Sequence, residues 1–280
     1  RDSRKRGNKM RNIKRIAAVS LVLVLSLCLL SGCGKKESDE KTIKVAACPT
    51  PHALVLEQIS TELEKEGYSL EIVEFEDYVK PNQALTDGDV DANYFQHVPY
   101  LDQYNQENKT DIVSVCTVHY EAMGIYKGTK NALTELSSGD KIGVPNDVTN
   151  EARALQLLQA NGVITLKEGA GLNATKADIV SNPYGVEIVE LDPAIIPQSL
   201  PDLAVAVINA NYAISAKCID KAIVFEDKNS TAAQTYANIV ACRKGDENSD
   251  KIQALKKAIQ SETVQKYMKD TYGDVIQTIW

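Results

Sequence analysis

The chain lacks the motifs that carry chemistry in the common enzyme classes. It contains no HExxH, no GxSxG and no Walker-type glycine loop, and it has three histidines in 280 residues. Those motifs hold the metal, the nucleophile or the phosphate in metalloproteases, α/β-hydrolases and P-loop NTPases, so these classes are excluded. No other nucleophile lies in a pattern that pairs it with a base. We therefore predict that the protein is not an enzyme and uses no cofactor.

Basic residues are in deficit outside the first 32 residues. That segment holds eight of the 31 Lys and Arg but one of the 38 Asp and Glu, so residues 33–280 carry a formal charge of −14, against −7 for the whole chain. Binding to the phosphates of nucleic acid requires a basic face. The charge balance therefore excludes a nucleic-acid partner.

Cysteine is sparse as well, and its spacing matches no metal site. Of six cysteines, two lie within the first 33 residues, and no CxxC or Cys/His spacing typical of zinc is present. An exported protein could form disulfides, but four widely separated cysteines in a chain of this size need not do so. We expect buried free thiols at the remaining four positions, Cys48, Cys116, Cys218 and Cys242.

A single long apolar run is present, and it lies near the N-terminus. Residues 1–9 precede the first methionine, Met10, and we leave them out of the fold. Arg11, Lys14 and Arg15 then lead into an apolar run over residues 16–30. This run is shorter than the roughly 20 residues that span a bilayer. A basic end, an apolar stretch and small residues after it predict a signal peptide over residues 1–32.

Cys33 follows this segment directly, after Leu30-Ser31-Gly32. The arrangement resembles the lipobox of bacterial lipoproteins, in which the cysteine receives a diacylglycerol, the chain is cut before it and the new N-terminus is acylated. The resemblance implies a lipid anchor at Cys33, a tether over residues 33–41 and a location on the extracytoplasmic face of the cell membrane. Several acyl chains, each contributing roughly 0.8 kcal/mol per buried methylene, anchor a protein stably.

After the tether, short apolar strands alternate with helices. Strands are predicted over residues 43–47, 70–75, 112–118, 122–126, 141–144, 186–190, 203–208 and 237–242, with another opening at 90–92. Helices are predicted over residues 52–66, 150–161 and 250–268, with a further helix start at 81–85. This alternation indicates βαβ units, a mostly parallel sheet and an α/β fold. Ligands of such sheets bind at the carboxyl ends of the strands.

Aromatic residues are scarce but cluster after two of these strands. The chain has 12 Tyr, three Phe and one Trp, yet six of these side chains lie between Phe75 and Tyr104. We assign those two to packing. The other four indicate an aromatic-lined pocket: Tyr78, Tyr94, Phe95 and Tyr100. A helix is predicted to begin after residue 97, and Phe95, His97 and Tyr100 would then surround the start of that helix.

Arg153 lies in the predicted first turn of a helix, where the helix dipole disfavours a cation. Free backbone N–H groups at that end favour anions, and a guanidinium beside them is suited to bidentate binding of a carboxylate. A surface salt bridge with Glu151 or another acid is the alternative. Asn209 and Asn211 follow an apolar strand, and Asn238 lies within another apolar segment. Buried amides need partners, which could be the backbone or a ligand.

Several segments together resemble the methionine-binding lipoproteins of the NlpA-type family, which are substrate-binding components of ATP-driven importers. They are residues 77–82 (DYVKPN), 91–97 (DANYFQH), 145–147 (PND), 149–151 (TNE), 208–213 (INANYA) and 236–239 (YANI). The likeness runs from about residue 42 to the end. It implies a two-lobed, type II-like periplasmic-binding-protein fold with two crossing strands and a ligand cleft between the lobes. We expect lobe 1 over residues 42–122 and 239–280, and lobe 2 over residues 123–238.

The resemblance also implies a ligand, partners and seven binding residues. The ligand is methionine, with the L form expected, and the partners are an ABC permease and its ATPase subunits. The residues are Tyr78, Phe95, His97 and Tyr100 around the ligand side chain, Arg153 at its carboxylate, and Asn211 and Asn238 at its backbone polar groups. No metal ligand is implied.

The chain departs from the family pattern beside the predicted arginine. Val148 stands where the family often has proline, and Ala152 where it often has glycine, which leaves another small apolar amino acid or a dipeptide open as the ligand. A zinc-binding receptor is a second alternative, since His52, His97 and His119 all follow strands and three imidazoles with a carboxylate bind Zn²⁺. A lipid-anchored scaffold without a ligand is the third.

Overall fold

The computed structural model describes residues 40–227 and 234–280. The predicted signal peptide, Cys33 and most of the tether lie outside these residues. Ile43–Trp280 form one compact unit. Within the described ranges, none of the helices combines the length and the apolar character that a membrane crossing requires.

Thirteen strands are described in this unit. In chain order they are Thr42–Ala47 (β1), Ser69–Glu74 (β2), Ala92–His97 (β3), Val113–Glu121 (β4), Gly124–Lys127 (β5), Lys141–Pro145 (β6), Thr165–Leu166 (β7), Ile179–Ser181 (β8), Glu187–Leu191 (β9), Val205–Ile208 (β10), Ala222–Phe225 (β11), Asn238–Cys242 (β12) and Ile276–Thr278 (β13). Eight of the predicted strands have counterparts here, with ends shifted by up to three residues. The strand predicted to open at 90–92 lies at 92–97 instead, so Tyr94 and Phe95 are within it and do not follow it. The short strands β7, β8, β11 and β13 were not predicted.

The α-helices accompany these strands. They are Leu54–Glu57 (α1), Ser60–Lys65 (α2), Lys80–Asp87 (α3), Val98–Asn108 (α4), Val148–Ala160 (α5), Ile196–Ser199 (α6), Ala210–Ser215 (α7), Asp250–Ile259 (α8) and Glu262–Tyr272 (α9). The helix predicted over 250–268 is in fact two helices, because Ser261 caps α9 by accepting a hydrogen bond from the Val264 N–H. The helix predicted over 52–66 is likewise divided between α1 and α2.

The strands form two large sheets and a two-stranded ribbon. Sheet A has the order β13-β4-β12-β3-β1-β2, and sheet B has the order β11-β5-β10-β6-β9. The prediction of mostly parallel sheets is wrong. In sheet A, β1 and β3 are parallel, but β12 runs antiparallel to both β3 and β4. In sheet B, β10 is parallel to β6 and antiparallel to β5. In sheet A the mixed pattern arises because β12 follows a segment that returns from sheet B and then fills the gap between β3 and β4.

The chain passes between the sheets twice. It leaves sheet A after Glu121 and enters sheet B at Gly124, and it leaves sheet B after Phe225 and re-enters sheet A at Asn238. We call residues 121–124, 225–227 and 234–238 the crossing segments. They are tied together because the Glu226 N–H donates to the Met123 carbonyl at 2.9 Å. The first crossing segment is short, so the end of β4 lies directly beside the start of β5.

Helices α1, α2, α8 and α9 cover one face of sheet A and form the largest hydrophobic core. Val55, Leu63, Leu255 and Met268 are buried in it, together with side chains of β1, β3, β4 and β12. The apolar residues recur at helical spacing along each helix, so one face is buried while the Lys and Glu side chains of the other remain in water. The four cysteines outside the N-terminal segment are buried free thiols, as predicted.

Leu255→Ala tests this core. The side chain is fully buried in α8, so its truncation should lower the free energy of unfolding by about 2–5 kcal/mol through lost burial and the cavity left behind. Urea unfolding followed by circular dichroism measures the change. Leu172→Ala is the control, because Leu172 is 43% exposed, and it should change the free energy by less than about 0.5 kcal/mol. Equal effects of the two substitutions would contradict the placement of α8.

Candidate ligand-binding site

A narrow cavity lies where sheet A, sheet B and the crossing segments meet. Of its roughly 360 Å³ of non-atom space, part of which is open solvent, only about 20 Å³ can hold the centre of a water-sized sphere, so the cavity is nearly closed in this structure. All seven binding residues predicted from the sequence line it: Tyr78, Phe95, His97, Tyr100, Arg153, Asn211 and Asn238. Its other lining residues are His52, Gln96, Glu121, Asn150, Asn209 and Ala210. The structure thus brings the predicted residues to one place, while their roles stay predictions.

Aromatic rings form one side of the cavity. The Tyr78 ring lies 6.2 Å from Phe95, 6.1 Å from Tyr100 and 4.9 Å from Tyr212, measured between ring centroids. Tyr100 is fixed in place because its hydroxyl donates to the Tyr78 carbonyl at 3.0 Å. Phe95 comes from β3 and Tyr100 from the first turn of α4. This side of the cavity is suited to an apolar, polarizable side chain.

Arg153 forms a buried ion pair with Glu226. Its Nε donates to Oε1 at 2.9 Å and its Nη2 to Oε2 at 2.6 Å, and the two side chains are 3% and 7% exposed. Glu226 also accepts from the Tyr120 hydroxyl at 2.7 Å and from the Met123 N–H at 3.0 Å. Burial would raise the pKa of Glu226, but Arg153 and these donors lower it overall. The carboxylate is therefore ionised at neutral pH and fully occupied.

This pair changes the expected role of Arg153. The bidentate contact predicted for a ligand carboxylate is made with Glu226 instead, and Nη2 also donates to the Glu121 carbonyl at 2.7 Å. Burial would lower the pKa of Arg153, but Glu226 raises it above its usual value. Three of the five guanidinium N–H groups are thus used, and Nη1 has no hydrogen-bond partner in residues 40–227 and 234–280. Nη1 is therefore the end of the guanidinium that remains free to donate.

Glu121 and His52 fix the orientation of Asn238. Burial would raise the pKa of Glu121, but the hydrogen bond from His119 and the charges nearby lower it, so the carboxylate only accepts. His52 Nε2 lies 3.3 Å from Glu121 Oε1 and must therefore carry a proton. The same nitrogen lies 2.9 Å from Asn238 Oδ1. Burial lowers the pKa of His52 to about 4, so the ring is neutral at neutral pH.

Direct contacts join the two sides of the cavity. Tyr78 directly precedes the residues that lead into α3, and its hydroxyl donates to Asn211 Oδ1 in α7 at 2.6 Å. His97, at the end of β3, places Nε2 3.2 Å from Asn150 Oδ1 in α5. Burial lowers the pKa of His97 to about 3, with Arg153 adding to the effect. These hydrogen bonds are made between uncharged groups, and they hold elements of sheet A against elements that pack on sheet B.

The histidines do not gather as the zinc alternative requires. His52 and His119 lie together with Glu121, and their ligand atoms are within 4.8 Å of one another. His97 is not part of this group, because its ring contacts Asn150 and Tyr100. Both imidazoles place Nε2 against the same carboxylate oxygen. We interpret the group as a hydrogen-bonded network that holds Asn238.

Comparisons with known proteins agree with the family resemblance seen in the sequence motifs. The sequence model of the NlpA lipoprotein family matches residues 43–280. The chain belongs to this family. It is 41% identical over 257 residues to the D-methionine-binding lipoprotein MetQ of Salmonella typhimurium, which covers 90% of this chain and 92% of that protein. The family resemblance given by the sequence motifs is therefore confirmed.

Two solved structures share the fold of this NlpA lipoprotein. A lipoprotein of Ruminococcus gnavus is 53% identical, with a TM-score of 0.84, and the match covers 86% of this chain and all of that one. A nutrient-binding protein of Burkholderia cenocepacia, solved bound to methionine, is 40% identical with a TM-score of 0.81 over 85% of this chain and all of that one. The periplasmic-binding-protein fold is thereby confirmed, while the bounds of the two lobes stay a prediction.

Motif reading missed several groups of this site. Glu226 is the partner of Arg153, yet it is 73 residues away in the sequence and carries no local signal. Glu121 ends a strand that was predicted to stop at residue 118. Asn150 was placed in a helix without a role, although its position in the first turn beside a strand end was a usable signal. For His52, its place after the first strand was noted only for the zinc alternative.

The Arg153–Glu226 pair gives a stability prediction. Glu226→Gln leaves a buried guanidinium without its counter-charge, and we expect the free energy of unfolding to fall by about 3–5 kcal/mol. Urea unfolding measures the loss. Glu190→Gln is the control, because Glu190 pairs with Lys176 at the exposed surface, and such pairs contribute less than about 1 kcal/mol. Losses of the same size in both variants would contradict the buried pair.

Proposed function

We propose that this lipoprotein captures methionine outside the cytoplasmic membrane and delivers it to an ABC importer. The observation that carries the proposal is the cavity, which combines an aromatic side with a cluster of hydrogen-bond donors. The names of the related MetQ lipoproteins and the methionine-bound relative support the same ligand. The protein would act as a binding component and catalyse no reaction.

The aromatic side fits the methionine side chain. A thioether sulfur against aromatic rings contributes roughly 0.3–1.5 kcal/mol per contact. Burial of the side chain adds about 25 cal/mol per Å² of apolar surface. Tyr78, Phe95 and Tyr100 present their rings to this part of the cavity. Burial alone discriminates weakly against leucine, so sulfur contacts and the length of the cavity would supply the preference.

The polar side fits the methionine carboxylate. Arg153 Nη1 is free to donate, and the amide NH₂ groups of Asn211 and Asn238 donate to no other described residue. Because the Asn211 and Asn238 oxygens already accept hydrogen bonds from Tyr78 and His52, it is the NH₂ groups that face the ligand. Three converging donors in a largely buried cavity would bind a carboxylate firmly.

The same geometry supports an importer as the partner. Contacts such as Tyr78–Asn211 and the Tyr212 hydroxyl on the Glu76 carbonyl, at 3.0 Å, close the cavity from both sides. A ligand between the two sides would strengthen this closure, and a closed shape is what a membrane permease could distinguish from an open one. The ABC permease and its ATPase subunits are therefore part of the proposal, as is the lipid anchor at Cys33.

Methionine binding is tested by isothermal titration calorimetry. L-Methionine should bind the wild-type protein, and Asn238→Ala should weaken binding at least tenfold because a donor to the ligand is lost. Asn161→Ala, at the C-terminal end of α5, is the matched control and should bind normally. Arg153→Ala is unsuitable, since it would leave Glu226 buried and unpaired.

Two outcomes would contradict the proposed ligand. One is the absence of heat on titration with L-methionine when the protein is folded and free of bound small molecules. The other is displacement of bound L-methionine by a different compound, such as leucine or a dipeptide, that binds more tightly. Mass spectrometry of small molecules that co-purify with the protein distinguishes these cases.

The lipid anchor is tested by growing cells that express the full chain with labelled palmitate. The wild-type protein should incorporate the label, and Cys33→Ala should not, because the thiol that accepts the lipid is missing. Cys28→Ala is the control, since Cys28 lies inside the apolar run, and it should remain labelled. Label on the Cys33→Ala protein would rule out this anchor.

A further inference from the structure

One segment outside the cavity lies along α5 with few apolar side chains to hold it there. It comprises residues 165–181, which begin in β7 and end in β8, and we call it the strap. Its buried apolar side chains are those of Leu166 and Ala174. The other side chains of the strap are partly or fully exposed, so hydrogen bonds to its backbone contribute to holding it in place.

Three side chains of α5 make such hydrogen bonds with the backbone of the strap. Two of the three are amides, which do not titrate, and the third is a carboxyl group whose charge can change with pH. The bonds are Glu151 Oε1 to the Lys176 N–H at 3.1 Å, Gln156 Nε2 to the Gly171 carbonyl at 2.7 Å, and Gln159 Oε1 to the Leu166 N–H at 2.6 Å.

Glu151 is a buried acid beside a second acid. It lies in the first turn of α5 and is 6% exposed. Glu190 of β9 is within hydrogen-bonding reach of it, and Glu190 Oε2 accepts from Lys176 Nζ at 2.5 Å. Lys176 thus presents its backbone N–H to one acid and its ammonium to the other. Two carboxyl groups can share a hydrogen bond only when one of them carries a proton.

The surroundings of the two acids decide which of them holds this proton. The Glu190 side chain is 32% exposed and is bound to an ammonium, whereas Glu151 is buried and accepts from an uncharged N–H. The proton therefore belongs to Glu151. Burial, together with the charge and the hydrogen bond of Glu190, raises the pKa of Glu151 to about 7, although the Lys176 N–H opposes the change.

The other acids around the strap have different partners. Asp178 accepts from the Thr175 N–H at 2.9 Å and pairs with Lys167 at 2.7 Å, and Lys167 and this N–H lower its pKa. Asp178 is therefore ionised throughout the neutral range. Glu187 is exposed on β9 and acts on the charge of Lys176. Among these acids, Glu151 is the one that is buried against a like charge.

An acid whose pKa is raised by its surroundings gains stability by leaving them once it is ionised. The ordinary pKa of a glutamate is 4.5, against about 7 for Glu151 in the folded protein. Between these two values the closed arrangement holds a proton that an open, hydrated one releases. Opening therefore becomes more favourable as the pH rises from about 4.5 to 7, and its equilibrium constant levels off above that range.

We propose that Glu151 is a pH-responsive clamp, which holds the strap on α5 while it is protonated and releases the strap when it is ionised. Helix α5 also carries Asn150 and Arg153 to the cavity, so the clamp acts on the outer side of a helix whose inner side lines the site. The clamp goes beyond the proposed function and does not depend on which ligand is bound.

The first experiment measures hydrogen exchange of the Lys176 amide by NMR at pH 6 and pH 8, with each rate divided by the intrinsic rate at that pH. In the wild-type protein the equilibrium constant for opening should rise about tenfold between these pH values. Glu151→Gln should remove the rise, because its oxygen still accepts from the Lys176 N–H and its NH₂ group still donates to Glu190 without a change of charge. Glu187→Gln is the matched control and should keep the tenfold rise.

Two results of this experiment would overturn the clamp. One is an opening constant of the wild-type protein that is the same at pH 6 and pH 8. The other is a tenfold rise that persists in Glu151→Gln, since another group would then be titrating. Circular dichroism of each variant at both pH values confirms that the fold is retained before exchange is compared.

The second experiment follows the side-chain carboxyl carbons of the wild-type protein by NMR as the pH is changed. The signal that is absent from Glu151→Gln belongs to Glu151, and its midpoint should lie near pH 7. Glu190→Gln should lower this midpoint, because the neighbouring negative charge is removed. A midpoint at the ordinary value for glutamate, or one that Glu190→Gln leaves unchanged, would show that the two acids share no proton and would overturn the clamp.

Discussion

The buried ion pair of Arg153 and Glu226 is the interaction on which the rest of the site depends. A guanidinium removed from water is strongly unfavourable unless a counter-charge and hydrogen bonds accompany it. Glu226 supplies both, and its own position is fixed by Tyr120 and Met123 at the crossing segments. The pair therefore binds α5, which carries Arg153, to the point where the chain passes between the sheets. It also leaves a single end of the guanidinium to face the cavity.

Acceptor-only groups set the polarity of much of the polar side of the cavity. An amide can be turned either way, but a carboxylate cannot donate when ionised, so each carboxylate dictates the orientation of the amide or imidazole beside it. Asp147 acts on Asn150, and Glu121 acts on His52. The effect passes along short chains of hydrogen bonds to the amides that line the cavity. Neutral polar groups thus become fixed donors and acceptors before any ligand is present.

The sequence predicted the elements of this fold better than their arrangement. Apolar runs located β1, β6 and β10 because local periodicity reflects burial, and the spaced motifs brought together seven side chains that do line one cavity. The insertion of β12 between β3 and β4 could not be predicted, since it is decided by pairing between segments more than 100 residues apart. The pairing of Glu226 with Arg153 could not be predicted for the same reason. A buried partner of Arg153 is selected by the fold, and nothing in the residues around it distinguishes it from other acids.

The balance of charge explains why a zwitterion suits this cavity better than an anion. If Arg153 were unpaired, a simple carboxylate would complete it, and any small acid would bind. With Glu226 present, the positive charge of Arg153 is already compensated, and a second carboxylate, Glu121, lines the same cavity. An anionic ligand would then add a negative charge without a counter-charge to a largely buried site, where charges interact strongly. A ligand that brings its own ammonium avoids this penalty, so the counter-charge that stabilises the fold also narrows the choice of ligand.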